Sequence, residues 1–332
     1  MITGTRIIKE WTLPVAMAFG TLVYLVFAFV PWLDGCSQFF APVMEAVLPL
    51  FMFLVLFVTF CKVDFHKMRP VWWHLWVSVL NLVIVAMAMA ALLSLPLFGT
   101  TFPASTKVLL ESVLMCIIAP CATAAAVVTQ KLGGSLEQTT TFTFISNIIT
   151  ALLVPLCFPL IEKGMEVTFL AAFSKTLCEV ASLLVLPMLL AYIVKHFCHR
   201  LHRFIIGVRD LSFYLWGCSL TIVTGITVRN IVHAQASLQL LLAIAFLGLA
   251  VCVAQFALGR YVGHFSGRAQ EAGQALGQKN TALAIWLSTT YLQPLSSVGP
   301  GCYILWQNII NSMEIYYKMR DGKAEHEKLE QQ

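Results

Sequence analysis

Charged residues are scarce in this sequence of 332 residues. Only 11% of the residues are Asp, Glu, Lys or Arg, whereas 59% are hydrophobic. A soluble domain carries about 25% charged residues, so the composition excludes a soluble globular protein and predicts an integral membrane protein. The apolar runs follow one another nearly to the end of the sequence and leave no room for a soluble domain.

Metal-binding and redox motifs are also lacking. The ten cysteines are spread mostly through apolar runs, and no Cys-x-x-Cys pair or His–Cys cluster occurs. This pattern is typical of small buried hydrophobic residues, so we expect no metal and no cofactor. A cleavable signal peptide is not predicted, because the apolar run after Arg6 and Lys9 is too long for one and no small-residue cleavage site follows it.

The apolar runs predict ten transmembrane helices of about 20 residues each. Their ranges are 11–32, 43–61, 70–95, 106–130, 135–160, 168–195, 211–229, 236–259, 268–290 and 297–317. With the N-terminus inside, 16 of the 21 Lys and Arg residues fall in inner segments. This bias predicts a multi-pass protein of the plasma or inner membrane with both termini cytoplasmic. It also explains the net charge of +5 without a nucleic-acid partner.

Five predicted spans precede residue 162 and five follow it. Two consecutive halves with an odd number of spans lie in opposite orientations, as in the inverted repeats of secondary transporters. We therefore predict an all-α membrane protein with one five-helix repeat at 1–162, a second at 163–317, and a polar cytoplasmic tail at 318–332.

The fourth span of each half is interrupted. Span four contains Pro120, followed by Thr123, and span nine contains Gly277 among polar residues. The polar residues of span nine are Gln274, Gln278, Lys279, Asn280 and Thr281. Corresponding interruptions in two halves indicate a binding site of broken helices at the membrane midplane. By itself, Pro120 is equally compatible with an ordinary kink.

Lys279 is the most deeply placed basic residue of the predicted spans. An ionisable residue at membrane depth indicates a functional site, and the alternative is a lysine that reaches the interface from a helix end. Thr139, Thr143, Asn147 and Thr150 share one face of span five, either as ligands or as polar contacts between helices.

Three short motifs carry a resemblance to a known family. Residues 49–54, with Asp64-Phe65 and Arg69-Pro70 after them, resemble the second span and following loop of the bile acid:sodium symporter family. Residues 120–123 resemble its Pro-Gly-Gly-Thr break in span four, and residues 277–284 resemble its Glu-x-Gly-x-Gln-Asn-Ser-x-Leu-Ala stretch in span nine. The resemblance covers nearly the whole chain. It implies a panel domain of spans one, two, six and seven, and a core domain of the other six spans, in which the broken helices cross.

The sequence departs from the family at the implied sodium ligands. A Ser-Asn pair after the span-four break is replaced by Ala125 and Ala126. The span-nine glutamate falls on Ala275, or on Gln274 if Lys279 is an insertion, and the family's glutamine falls on Lys279. Alanine offers no side-chain oxygen, and an ammonium group carries only donors and repels a cation.

Other implied ligands are retained. Thr139 and Thr143 keep two hydroxyl groups on span five, and the family's span-three glutamine corresponds loosely to Asn81. We expect the Lys279 ammonium to stand in the place of a sodium ion, with the Thr139 and Thr143 hydroxyls and the carbonyls of the helix breaks as its acceptors.

These features predict a secondary transporter that moves an organic anion, bile acid-like or another carboxylate, by alternating access without sodium coupling. The expected partners are that anion and the lipid bilayer, and no oligomeric state is indicated. One alternative is a retinal-type photoreceptor with Lys279 as the Schiff base, although ten spans and the lack of a central carboxylate disfavour it. A membrane-embedded enzyme is less favoured, because no Ser-His-Asp set or zinc motif lies at membrane depth.

Overall fold

The protein is described by a computed structural model that covers residues 11–30, 34–94, 104–161, 169–208 and 210–330. Within these ranges the regular structure is helical, apart from one isolated antiparallel bridge between Cys121 and Lys279. The predicted all-α class is confirmed. Arg6, Lys9 and the predicted repeat boundary at 162–163 lie outside the described residues.

The described residues form thirteen α-helices. In chain order they are α1 Thr12–Phe29, α2 Asp34–Lys62, α3 Trp72–Ser94, α4 Ala104–Ile118, α5 Ala125–Lys131, α6 Leu136–Ile161, α7 Phe169–Phe197, α8 His199–Gly207, α9 Leu211–Val232, α10 Leu238–His264, α11 Ala269–Gly277, α12 Thr281–Tyr291 and α13 Val298–Glu330.

Six of these helices are long and apolar enough to cross a membrane. They are α1, α2 over Pro42–Lys62, α3, α6, α9 and α10. The number is seven if the C-terminal part of α7 and the whole of α8, which meet at an angle of 112°, form one broken span. The predicted spans four and nine are each divided into two short helices, and none of these four helices is long enough to cross a membrane alone. The described residues therefore show a multi-pass membrane protein, and the count of ten spans stays a prediction.

Helix α6 shows how the apolar surface is arranged for a membrane. Ile148, Leu152, Leu156 and Leu160 recur every four residues and are exposed, whereas Asn147 on the opposite side is fully buried. Large apolar side chains outside and polar side chains inside are the reverse of a soluble helix. This arrangement suits lipid around the protein and polar contacts within it.

The short helix α5 lies between two groups of helices. Its residues Val127 and Val128 pack in one apolar cluster with Leu13 of α1 and Leu220 of α9. At its C-terminal end, the Lys131 Nζ atom lies 2.5 Å from an Asp210 carboxylate oxygen at the start of α9. Helix α5 therefore lies against α1 and α9 on one side, and its Ala125 packs with Trp73 of α3 and Phe142 of α6 on the other.

The closest helix approach that positions the second break is between α10 and α11. A β-carbon at Gly259 would clash with the carbonyl oxygen of Ala272, and one at Gly263 would clash with the Ala272 side chain. The two glycines thus allow α11 to lie directly on the backbone of α10, which places Gly277 at the end of α11 against the Phe256 ring.

We predict that Gly259→Ala lowers the free energy of unfolding by about 1–3 kcal/mol, because an added methyl group forces α10 and α11 apart. The matched control is Gly207→Ala at the end of α8, where a β-carbon meets no atom within 4 Å. Thermal unfolding of the purified variants measures the difference. Equal midpoints for the two variants would show that the approach of α10 and α11 is not tight.

Candidate functional site

The two interrupted spans cross each other at their breaks. Helix α4 ends at Ile118 and α5 begins at Ala125, while α11 ends at Gly277 and α12 begins at Thr281. The extended residues between them pair as a short antiparallel bridge. The Ala122 amide donates to the Gln278 carbonyl at 2.8 Å, and the Asn280 amide donates to the Pro120 carbonyl, also at 2.8 Å. Each break thus satisfies backbone groups of the other, as membrane depth requires. We call this region the crossover.

The last carbonyl groups of α4 accept hydrogen bonds from side chains of other helices. A helix leaves its last four carbonyls without partners inside the helix, and here three of them are satisfied by three different donors. These bonds are Gln255 Nε2 to Cys116 O at 3.1 Å, Lys279 Nζ to Ile117 O at 2.9 Å, and Thr150 Oγ1 to Ile118 O at 2.9 Å. The polar residues of three neighbouring spans are therefore used to end α4 inside the protein.

Lys279 is buried at the centre of the crossover, with 3% of its surface exposed. Its Nζ atom donates to Asn81 Oδ1 at 3.0 Å and to the Ile117 carbonyl at 2.9 Å. An ammonium group has three donors and no acceptor, so two neutral oxygens engage two of the three donors. No carboxylate pairs with Lys279 among the described residues, so the counter-ion of a Schiff-base photoreceptor is not found there.

Gln307 of α13 fixes the backbone of Lys279. The Lys279 amide donates to Gln307 Oε1 at 2.8 Å, and Gln307 Nε2 donates to the Lys279 carbonyl at 3.2 Å. One side-chain amide therefore bonds both backbone polar groups of Lys279, and the Lys279 carbonyl also accepts from the Thr281 amide at 2.9 Å. Gln307 is not among the site residues predicted from the sequence. The available signal was the run of Gln307, Asn308, Asn311 and Ser312, which recurs with helical spacing inside an apolar span.

The end of α11 is held in a similar way by α13 and α10. Tyr303 donates its hydroxyl to the Gly277 carbonyl at 2.7 Å and accepts from Gln255 Nε2 at 3.0 Å. Gln274, one turn earlier, donates to Asn311 Oδ1 at 3.0 Å. Gln255 therefore contacts the ends of both broken helices, directly at α4 and through Tyr303 at α11.

The threonines of α6 have partners that differ from the sequence-based expectation. Thr139 donates to the Ser135 carbonyl at 3.0 Å, and Thr143 donates to the Thr139 carbonyl at 3.0 Å. Thr143 also contacts the sulfur of Cys121 at 3.5 Å. The Lys279 amine donates instead to Asn81 and Ile117, because the side chain extends toward α3 and α4. Of the predicted hydroxyls of α6, Thr150 is the one that reaches a helix end.

The positions of the implied sodium ligands are occupied by packed hydrocarbon. Ala125, Ala126 and Ala275 are all buried. Ala125 and Ala275 belong to one apolar cluster with Trp73 and Phe142. A cation needs oxygen ligands, and these three side chains provide none.

A small cavity of about 70 Å³ lies between the crossover and helices α2 and α9. Thr123, Lys279 and Thr281 are among the residues that line it. Four further lining residues carry buried polar atoms without a hydrogen-bond partner in the described part of the chain. They are Ser219 Oγ, Gln278 Oε1, Asn280 Nδ2 and Asn308 Oδ1. The Asn280 Oδ1 atom caps α12 by accepting from the Leu283 amide at 3.2 Å.

The family model described as "Sodium Bile acid symporter family" matches residues 49–234. The matched region includes the break at Pro120 and ends before the break at Gly277. No curated protein matches the chain significantly.

We predict that Gln307→Met lowers the free energy of unfolding by about 1–3 kcal/mol, because the buried Lys279 amide loses its partner. The Lys279 carbonyl keeps its bond from the Thr281 amide. The volume of the side chain is nearly unchanged, so packing is not the cause. The control is Gln130→Met at an exposed position of α5. A Gln307→Met protein that unfolds at the temperature of the control would show that Gln307 does not support the crossover.

Proposed function

The chain belongs to the sodium bile acid symporter family, and we propose that it moves an organic anion across the membrane by alternating access, without sodium coupling. It is accordingly a membrane transporter of that family's type. The observation that carries the finer proposal is the buried Lys279 amine, which is hydrogen-bonded at the crossing of two broken helices.

The architecture that we propose has ten spans in two inverted five-helix repeats, with both termini cytoplasmic and with interleaved panel and core domains. Two observations support it. A helix or a pair of short helices occupies each predicted range, and the two interrupted spans cross each other. The assignment of the basic loops to the cytoplasmic side is based on their positive charge alone.

The proposed substrate is an organic anion, bile acid-like or another carboxylate. The Lys279 charge favours an anion, and the N-terminal end of α12 beside the cavity carries a positive partial charge. The four unpartnered polar atoms give the cavity wall both donors and acceptors for a substrate. Ligand pockets measure about 300–1,000 Å³, so the cavity of about 70 Å³ must widen to admit such a molecule.

The position of the cavity indicates which helices must move to widen it. The cavity lies between the crossover and helices α2 and α9, and these helices belong to the panel domain of the proposed architecture. If one end of α2 and α9 moves away from the crossover, the cavity opens to that side of the membrane. If the other end moves away, the cavity opens to the other side. The ion pair between Lys131 and Asp210 bridges the two groups of helices at one end.

Lys279 leaves two forms of the mechanism open. If Asn81 and the Ile117 carbonyl keep the amine protonated throughout the cycle, Lys279 is a permanent internal cation and the protein is a uniporter or an exchanger. If burial removes the proton in one conformation, substrate movement is coupled to a proton. Uptake driven by an imposed pH gradient across proteoliposomes, at clamped membrane potential, separates the two forms.

We predict that uptake of labelled taurocholate into proteoliposomes is unchanged when choline replaces sodium at constant membrane potential. The reason is that Ala125, Ala126 and Ala275 offer no ligand oxygens and that Lys279 repels a second cation. A saturable uptake that vanishes in choline would contradict the proposal. The variant Lys279→Gln, Ala275→Glu, Ala126→Asn restores the family's residues at three positions, and we expect its uptake to depend on sodium.

We predict that Lys279→Met and Lys279→Ala each reduce uptake by about tenfold or more. A charge-assisted hydrogen bond contributes about 1.5–3 kcal/mol, and 1.4 kcal/mol corresponds to a factor of ten. Lys279→Met keeps most of the side-chain volume and so tests the charge itself. The control is Lys67→Met, at an exposed surface position. Wild-type uptake and stability in both Lys279 variants would rule out a role for the amine.

A further inference from the structure

A second polar cavity lies away from the crossover, where α10 and α13 meet the connections after α5 and α10. Its volume is about 530 Å³, which is within the range of ligand pockets. It is lined by the Gly133-Gly134 turn, by Gln270, and by five charged residues: Arg260, Arg268, Glu271, Glu314 and Lys318. We call it the second cavity. None of these residues contributes to the cavity beside the crossover.

The acidic residues of the second cavity are largely buried and are held by donors of the surrounding protein. Glu271 accepts from the Ser135 amide at 3.2 Å and from Arg268 at 3.0 Å. Glu314 accepts from Gln270 at 3.0 Å and from Gln274 at 2.9 Å, and it is paired with Arg260. Only 5% of the Glu271 side chain and 11% of the Glu314 side chain are exposed. Each carboxylate is therefore held by at least two protein donors and has little exposed surface.

The side chains of the basic residues in the second cavity are more exposed than those of the acidic residues. The Arg260 and Arg268 side chains are 42% and 43% exposed. Each guanidinium group has five N–H donors, and its single ion pair leaves several of them unused. Lys318 has no hydrogen bond or ion pair with any described residue, and its side chain lies over the Gly133 turn. The surface of the second cavity therefore offers unused donors of positive charge, whereas its two carboxylates are largely buried.

We propose that the second cavity binds an anionic oxygen ligand, a phosphate or carboxylate group, through Arg260, Arg268 and Lys318. Arginine forms paired hydrogen bonds with such groups, and lysine adds a point charge. Basic residues accumulate in inner loops for reasons of membrane orientation alone. That rule does not explain a concave site in which the carboxylates are buried and the cationic groups face one space. The ligand is either a soluble anion or the headgroup of an anionic lipid, because both present the same oxygens.

The packing of the wall supports a preformed site. A β-carbon at Gly134 would clash with Thr129 and press on the Glu271 carboxyl group, and a β-carbon at Gly273 would clash with the Arg260 side chain. Gly133 has φ +87°, a conformation that favours glycine. Small residues thus leave space for the Glu271 carboxylate and for the Arg260 stem, so the charged groups are positioned before a ligand binds.

The test is thermal unfolding of the full chain in neutral detergent. One series contains potassium phosphate, and the reference series contains potassium chloride at equal ionic strength. A second pair of series contains micelles with phosphatidylglycerol or with phosphatidylcholine. We expect a saturable rise of the midpoint in phosphate if the ligand is soluble. We expect a rise only with phosphatidylglycerol if the ligand is a lipid headgroup.

Three variants test whether the rise of the midpoint depends on the basic residues of the second cavity. Lys318→Ala removes a charge that has no structural partner, and we expect it to weaken the apparent affinity about tenfold, as the loss of one charge-assisted hydrogen bond does. Lys318→Arg should keep the affinity. Arg203→Ala removes an exposed charge from α8 and should have no effect. The proposal is overturned if neither phosphate nor phosphatidylglycerol gives a saturable rise, or if the rise is the same in Lys318→Ala.

Discussion

The structure depends on one constraint, which is that two helices end in the middle of a membrane protein. A broken helix exposes amide and carbonyl groups that cost several kcal/mol each when they are buried without partners. Here the extended residues of the two breaks pair with each other through two backbone hydrogen bonds. Further groups at the breaks are bonded by Gln255, Tyr303, Gln307, Lys279 and Thr150. Helices α6, α10 and α13 are arranged so that their polar side chains reach these groups, and Asn81 of α3 accepts from the Lys279 amine.

Lys279 links this structural constraint to the proposed function. Its backbone forms the bridge with Cys121, and its amine bonds the end of α4 and Asn81. A covalently attached cation cannot leave with the substrate, unlike a sodium ion. In the proposed mechanism, a positive charge therefore remains at the crossover throughout the cycle or is lost only as a proton. The alanines packed at the implied sodium-ligand positions agree with this exchange of a mobile ion for a fixed one.

The sequence was sufficient to predict the family, the helical class and the positions of both breaks. Proline and a glycine followed by four polar residues are rare inside membrane helices, so their positions are informative. The partners of Lys279 were harder to predict. A long side chain can extend toward several neighbouring helices, and helical spacing on α6 did not show that Thr139 and Thr143 bond their own backbone. Gln307 was missed because an amide in a span usually serves helix packing, and only the fold shows that it faces the Lys279 backbone.

The central claim is that the Lys279 amine occupies a cation site formed by Asn81 and the end of α4. The most direct test is chemical rescue of the Lys279→Ala protein by methylammonium, which fits the space left by the amine and has the same donors. The measurement is the thermal unfolding midpoint in methylammonium chloride against tetramethylammonium chloride at equal ionic strength. The account predicts a saturable stabilisation of Lys279→Ala by methylammonium alone, and none for the wild type. No difference between the two salts in the variant would contradict it.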